Sequence, residues 1–266
     1  MLEVCVDSLE SALNAVHGGA EELEVCSSLT EGGLTPSVGL VKEILDVVNK
    51  VGTGRVYKTC PESCSCLKLV KVKKPKVNVM IRCRTGSDFC YSEQEMDTML
   101  ADVDVFKQIS VDRFVFGALT NTQDIDVVNN AKVVASAKPT LVTFHRAYDV
   151  CKDPLKAVEK IIDLGFNRLL TSGQRSSAGE IEAIELITSI IASFADKIQV
   201  MPGAGVTVSN AKTFIDLGCK IVHSSCKTVR VLPKIENNLS MGTSDSECIY
   251  ITDENVVRKM KDVLNS

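Results

Sequence analysis

The chain has 266 residues, 45% of them hydrophobic and 24% charged, and a formal net charge of -4 at pH 7. These values exclude an intrinsically disordered chain, and the mildly acidic total argues against a nucleic-acid partner, whose footprint is a basic face. No window approaches the ~18 uninterrupted apolar residues of a membrane helix. The opening Met1-Leu2-Glu3-Val4-Cys5-Val6-Asp7 carries acids where an export signal needs a basic stretch and an apolar core. The expectation is a cytosolic protein with no membrane partner. Eleven cysteines, an odd number without an export signal, read as reduced thiols.

Along the chain, short apolar runs alternate with amphipathic stretches. Strands are predicted at 2–6, 22–26, 77–82, 113–118, 139–146, 167–172, 198–202 and 220–224. Helical periodicity falls between and after them, near 8–17, 37–50, 93–109, 124–136, 153–164, 178–194, 208–217 and 253–264. Strict alternation implies parallel strands with right-handed crossovers. Eight such units predict an α/β fold, a single (β/α)8 TIM-barrel domain over 1–266. An open doubly wound sheet fits less well, because no G-x-G-x-x-G corner follows any strand. Residues 52–76 break the rhythm with seven basic residues, one acid and the set Cys60-x3-Cys64-x-Cys66. They read as an inserted flexible surface loop, whose cysteines are either a small metal clip or an accidental cluster.

Side chains alternate along a strand, so each strand has one barrel-facing set. The word Leu-Glu-Val-Cys occurs at 2–5 and again at 23–26. If Leu and Val pack under the helices, Glu3, Cys5, Glu24 and Cys26 turn inward. Arg82 and Arg84 share a face with Met80, Thr143 shares one with His145, and Ser172 and His223 end their strands. So many ionisable groups inside a barrel must pair, and Glu3 and Glu24 are expected to oppose Arg82 or Arg84. Two readings follow: a structural ion-pair network, or a site at the carboxyl ends of the strands, where such barrels carry their chemistry.

Cys5 and Cys26 stand at the same place in the same word on adjacent strands. They are two small core residues or two converging thiolates, and thiolates in a reducing compartment suit a soft ion such as Cu(I). The corner Met201-Pro202-Gly203-Ala204-Gly205 and the end His223-Ser224-Ser225 follow strands seven and eight. In many barrels these loops bind phosphate through backbone N–H groups, which makes Gly203, Gly205 and Ser224 anion-site candidates. Arg82, Arg84 and Arg146 strengthen that reading.

The chain also resembles the copper homeostasis protein CutC family, and its animal members most. The matching words are LEVCVDSLESALNA, GGAEELEVCSSLTEGGLTPS, VNVMIR, DFCYSEQE, FVFGAL, VTFHRAYD, LGFNRLLTSG and MPGAGV followed by HSS. They run in order over nearly the whole chain outside 52–76. The resemblance implies a TIM barrel, a cytosolic and in animals also nuclear location, a homo-oligomer (dimer or tetramer), and Cu(I) held by Cys5 and Cys26. The chain departs from the family's words at Arg82-Cys83-Arg84, usually Arg-Pro-Arg, and at Gly203-Ala204-Gly205, usually three glycines. A left-handed backbone at Ala204 would be strained. A further departure is His223-Ser224-Ser225-Cys226-Lys227, where the last residue is usually Arg.

Two functions are expected. The first is Cu(I) binding for copper homeostasis, with Glu3, Glu24, Arg82 and His145 supporting the cysteines. The second is an enzyme, a lyase, isomerase or hydrolase acting on a small anionic, possibly phosphorylated, substrate. Its catalytic candidates are Glu24, Arg82, His145 and His223.

Overall fold

The computed structural model describes residues 1–52, 74–233 and 247–266. Most of the expected 52–76 insertion, including Cys60, Cys64 and Cys66, lies outside them. β1 (Leu2–Val6) leads through α1 (Leu9–Gly18), β2 (Glu22–Val25) and α2 (Val38–Gly52) to β3 (Lys76–Met80) and α3 (Glu93–Gln108). Then come β4 (Arg113–Phe116), α4 (Val127–Ala137), β5 (Leu141–Phe144), α5 (Pro154–Asp163), β6 (Arg168–Thr171) and α6 (Ile181–Phe194). The chain ends with β7 (Gln199–Pro202), α7 (Ala211–Asp216), β8 (Val222–Ser224), β9 (Lys227–Val231), β10 (Cys248–Thr252) and α8 (Glu254–Asn265).

Local chemistry sets these boundaries. Ser8 accepts from the Ser11 N–H at the start of α1, and Gly19 at φ 93° closes it with its N–H on the Ala15 and Val16 carbonyls. Ser92 and Glu95 form a reciprocal capping box on α3. Asp153 caps α5 just before Pro154, whose missing N–H costs nothing in the first turn.

Eight strands pair in parallel in the order β7-β6-β5-β4-β3-β2-β1-β8. β7 and β8 approach without a ladder at the seam, where a Cβ on Gly203 would stand 3.2 Å from the His223 Cβ. The sheet is thus nearly closed into the expected barrel. One face of each strand packs under the helices: Leu2, Val4, Leu23, Val25, Val77, Val79, Phe114 and Phe116 are fully buried with Ala12, Val16, Ile44 and Phe106. At ~25 cal/mol per Å² this apolar layer supplies most of the drive to fold.

Register corrects one expectation. The shared word suggests Cys5 beside Cys26, but Cys5 pairs with Glu24 and Glu3 with Glu22. Closing eight tilted strands requires shear, and here it staggers the two copies of the word by two residues. A second correction concerns the stretch between β8 and the last helix, which carries no predicted element. β9 and β10 pair antiparallel there as a hairpin, with Lys227 opposite Thr252 and Val231 opposite Cys248. Ala204 does sit in the left-handed region, at φ 63°.

Candidate functional site

Glu3, Glu22, Asn78 and Arg168 meet in the N-terminal half of the barrel because each occupies an inward position of β1, β2, β3 or β6. Arg168 grips Glu22 with both terminal nitrogens, at 2.7 and 3.0 Å, and reaches Glu3 at 3.4 Å. The Asn78 amide donates to both carboxylates, at 2.5 and 2.8 Å. Burial works against ionising Glu22, yet the Arg168 fork holds its carboxyl below the ordinary range. Arg168 therefore takes the role expected of Arg82 or Arg84. Arg84 instead pairs with Asp88 and Glu95, outside the barrel.

One step up β1 and β2, Cys5 and Glu24 converge with His223 of β8. Each offers a ligand atom, and these atoms lie within 4.8 Å of one another with all three residues buried. His223 Nδ1 is 2.8 Å from Glu3 Oε1, and its Nε2 faces Glu24 at 3.7 Å. Burial disfavours charge on this ring, but Glu24, Cys5 and Glu3 around it raise its pKa well above the ordinary imidazole value. Burial pushes the Glu24 carboxyl upward, and Glu3 adds to the shift. Glu24 Oε1 is buried with no partner among the described residues.

Cys26 sits just behind this cluster. It is fully buried beside Met80 and Val115, and its Sγ donates to Glu24 Oε2 at 3.6 Å. Burial first, then the Glu24 carboxylate against it, hold its thiol well above the usual range. Glu24 thus bridges the two cysteines. The Cys5 thiol, the His223 imidazole and the Glu24 carboxylate form a donor set that fits a soft or intermediate cation better than Ca2+ or Mg2+.

Arg82 and His145 lie on the β3–β5 side of the same mouth. Arg82 spends its terminal nitrogens on the Glu31, Gly33 and Gly86 carbonyls, at 3.0, 3.1 and 2.7 Å. The His145 Nδ1 accepts the Ala147 N–H at 3.2 Å and so caps the 3-10 turn Arg146–Val150. Burial, then the nearby Arg82 charge, push the His145 pKa down to about 3, so the ring is neutral at physiological pH.

The anion-site candidates after β7 and β8 are partly engaged by the fold itself. The Gly203 N–H donates to the Thr171 carbonyl and the Ser224 hydroxyl to the Val206 carbonyl, both at 2.9 Å. Gly205, at φ 75°, leaves no room for a side chain: a Cβ there would lie 2.0 Å from Ser177 Oγ. Arg146 is held by Asp149 and Ser172. Asp149, which the sequence reading passes over, organises the corner after β6: it accepts from Thr171 at 2.6 Å and from the Ser172 hydroxyl at 2.9 Å. The mouth as a whole is a cleft of about 1360 Å³ lined by Cys5, Glu24, Arg82, His145, His223 and the hairpin, among others.

A model of the CutC family matches residues 1–59 and 56–228. The chain is 40% identical to the copper homeostasis protein cutC homolog of Mus musculus, covering 99% of this chain and 90% of that one. It is 37% identical to a family protein CutC of Parabacteroides distasonis, covering 92% and 90%. Among solved structures, the putative copper homeostasis protein CutC of Streptococcus agalactiae superposes with a TM-score of 0.72 at 27% identity, over 85% of this chain and 98% of that one.

Proposed function

The chain belongs to the CutC family, and from that premise we propose that it binds Cu(I) at the barrel mouth as cargo, in copper homeostasis within the cytosol. The observation that carries the reading is the convergence of Cys5, Glu24 and His223 ligand atoms within 4.8 Å, with the Cys26 thiol 3.6 Å behind Glu24. Cys5 and Cys26 supply the thiolates, whose softness favours Cu(I) over harder ions. With His223 Nδ1 engaged by Glu3, Nε2 is the nitrogen turned toward the cluster. Cys26 gives up its proton when copper binds, so affinity falls as the solution is acidified. Cys5 and Cys26 are both free thiols, the state in which a reducing compartment keeps them.

The test is a competition titration of Cu(I) against a calibrated chelator, using fully reduced protein. The intact chain is compared with a Cys5→Ala/Cys26→Ala variant and a Cys60→Ser/Cys64→Ser/Cys66→Ser variant. One tight site per chain that disappears only in the first variant supports the reading. Binding retained there, or lost only in the second, overturns it.

A further inference from the structure

We propose that Arg82 and His145 form a subsite for a single oxyanion group, the carboxylate or phosphate of a small molecule, on the β3–β5 side of the mouth. This goes beyond copper, because it gives the cleft an organic ligand that metal binding alone does not require.

Arg82 is 5% exposed, and its described hydrogen bonds all go to backbone carbonyls, none to a carboxylate. Carbonyl dipoles offset only part of the cost of burying a guanidinium, and Arg stays charged at every relevant pH. Its Nε is buried with no partner among the described residues. His145 is 3% exposed, and its Nδ1 is the acceptor for Ala147. In the neutral ring the proton therefore sits on Nε2, which is also buried and unpartnered. Both side chains line the mouth cleft.

The Phe89 ring joins the two groups. Its centroid is 5.1 Å from that of His145, and the Arg82 Cζ lies 5.1 Å from it. Phe89 is held at φ 49°, a left-handed conformation that bulky residues rarely adopt, and such strain persists where the surroundings impose it. Two buried N–H donors, one of them cationic, beside an apolar ring that excludes water make a strong oxyanion receptor. The pair's one acceptor, His145 Nδ1, is taken by Ala147 and only donors remain free, so a cation or a bare hydrogen-bond donor does not fit. The rest of the cleft has room for the body of the molecule, which extends toward Cys5, Glu24 and His223.

The experiment follows the His145 Nε2 resonance in metal-free, 15N-histidine-labelled protein during separate titrations with malonate and inorganic phosphate. The comparison variants are Arg82→Met, Cys5→Ala/Cys26→Ala and Arg84→Met, whose guanidinium is committed to Asp88 and Glu95. The expected result is a saturable shift with one or both anions, weakened at least about tenfold by Arg82→Met and unchanged in the other two variants. A response to malonate alone assigns a carboxylate, to phosphate alone a phosphate, and to both a general oxyanion site. No saturable shift with either anion overturns the proposal, as does equal binding in Arg82→Met or equal weakening by Arg84→Met. If Arg82→Met does not fold, the intact protein decides alone: an unmoved Nε2 resonance at saturating anion rejects the site.

Discussion

Glu3 Oε1 lies 2.8 Å from His223 Nδ1 while Glu3 Oε2 accepts from Asn78 and Arg168, so one carboxylate ties the ionic interior of the barrel to its mouth. Because Glu3 pairs in register with both Glu22 and His223, this link is built into strand order and not into a loop. It fixes the ring orientation of His223 and leaves Nε2 turned toward Glu24.

Glu3→Gln is therefore expected to lower the His223 pKa and to weaken Cu(I) binding by about 10–100-fold. Ring titration by NMR and chelator competition measure the two effects. An unchanged affinity would show that His223 needs no carboxylate to take part.

Arg168→Met removes the counter-charge of Glu22 and part of that of Glu3, both buried. An uncompensated buried carboxylate costs about 3–5 kcal/mol, to be read from urea unfolding at neutral pH. Adding Glu22→Gln to that variant should recover part of the loss, which a double-mutant cycle resolves.

His145 gives stability a defined acid dependence. Its folded pKa is pushed down to about 3, while the unfolded imidazole titrates near 6.5. Between those values the unfolded chain binds a proton that the native chain does not. Its contribution is complete above pH 6.5 and is lost as the pH falls toward 3, by up to about 1.4 kcal/mol per unit. Urea midpoints at pH 7.5 and pH 5 should therefore differ less in His145→Gln than in the intact protein.

Ala204 at φ 63° carries a cost that glycine lacks. Ala204→Gly is expected to stabilise the fold by about 0.5–1 kcal/mol, net of the extra freedom it gives the unfolded chain. Gly205→Ala, at φ 75° and against Ser177, should destabilise it instead. Thermal unfolding of the two variants reads both signs.

The eight parallel strands and their helices were legible because Val- and Ile-rich runs alternate with amphipathic stretches at regular spacing. The inward set of β1 was legible from alternation alone, and so were Glu24 on β2 and His145 after β5. The same alternation that marks Ser172 also places Arg168 inward, four residues earlier on the same face, but no motif singles it out. Glu22 shares the inward face two residues before Glu24, but it precedes the repeated Leu-Glu-Val-Cys word that draws attention to that strand. Partner choice was not legible, because it depends on barrel shear, which sets Cys5 against Glu24 and brings β6 within reach of β1 and β2. The β9–β10 hairpin also escaped, since its exposed strands carry no buried apolar pattern.

β9 and β10 pair only with each other. They are fastened to the barrel through α1, where the Thr252 N–H and carbonyl meet Ser11 and Asn14, and Arg230 meets Glu10. Ile249, Tyr250 and Ile251 nonetheless wall one side of the cleft. Lengthening or trimming this ribbon would reshape that wall, while every inward-facing side chain and every barrel ladder stayed as it is. The wall of the cleft and the inward-facing set of the barrel are thus separable parts of this fold, each able to change without the other.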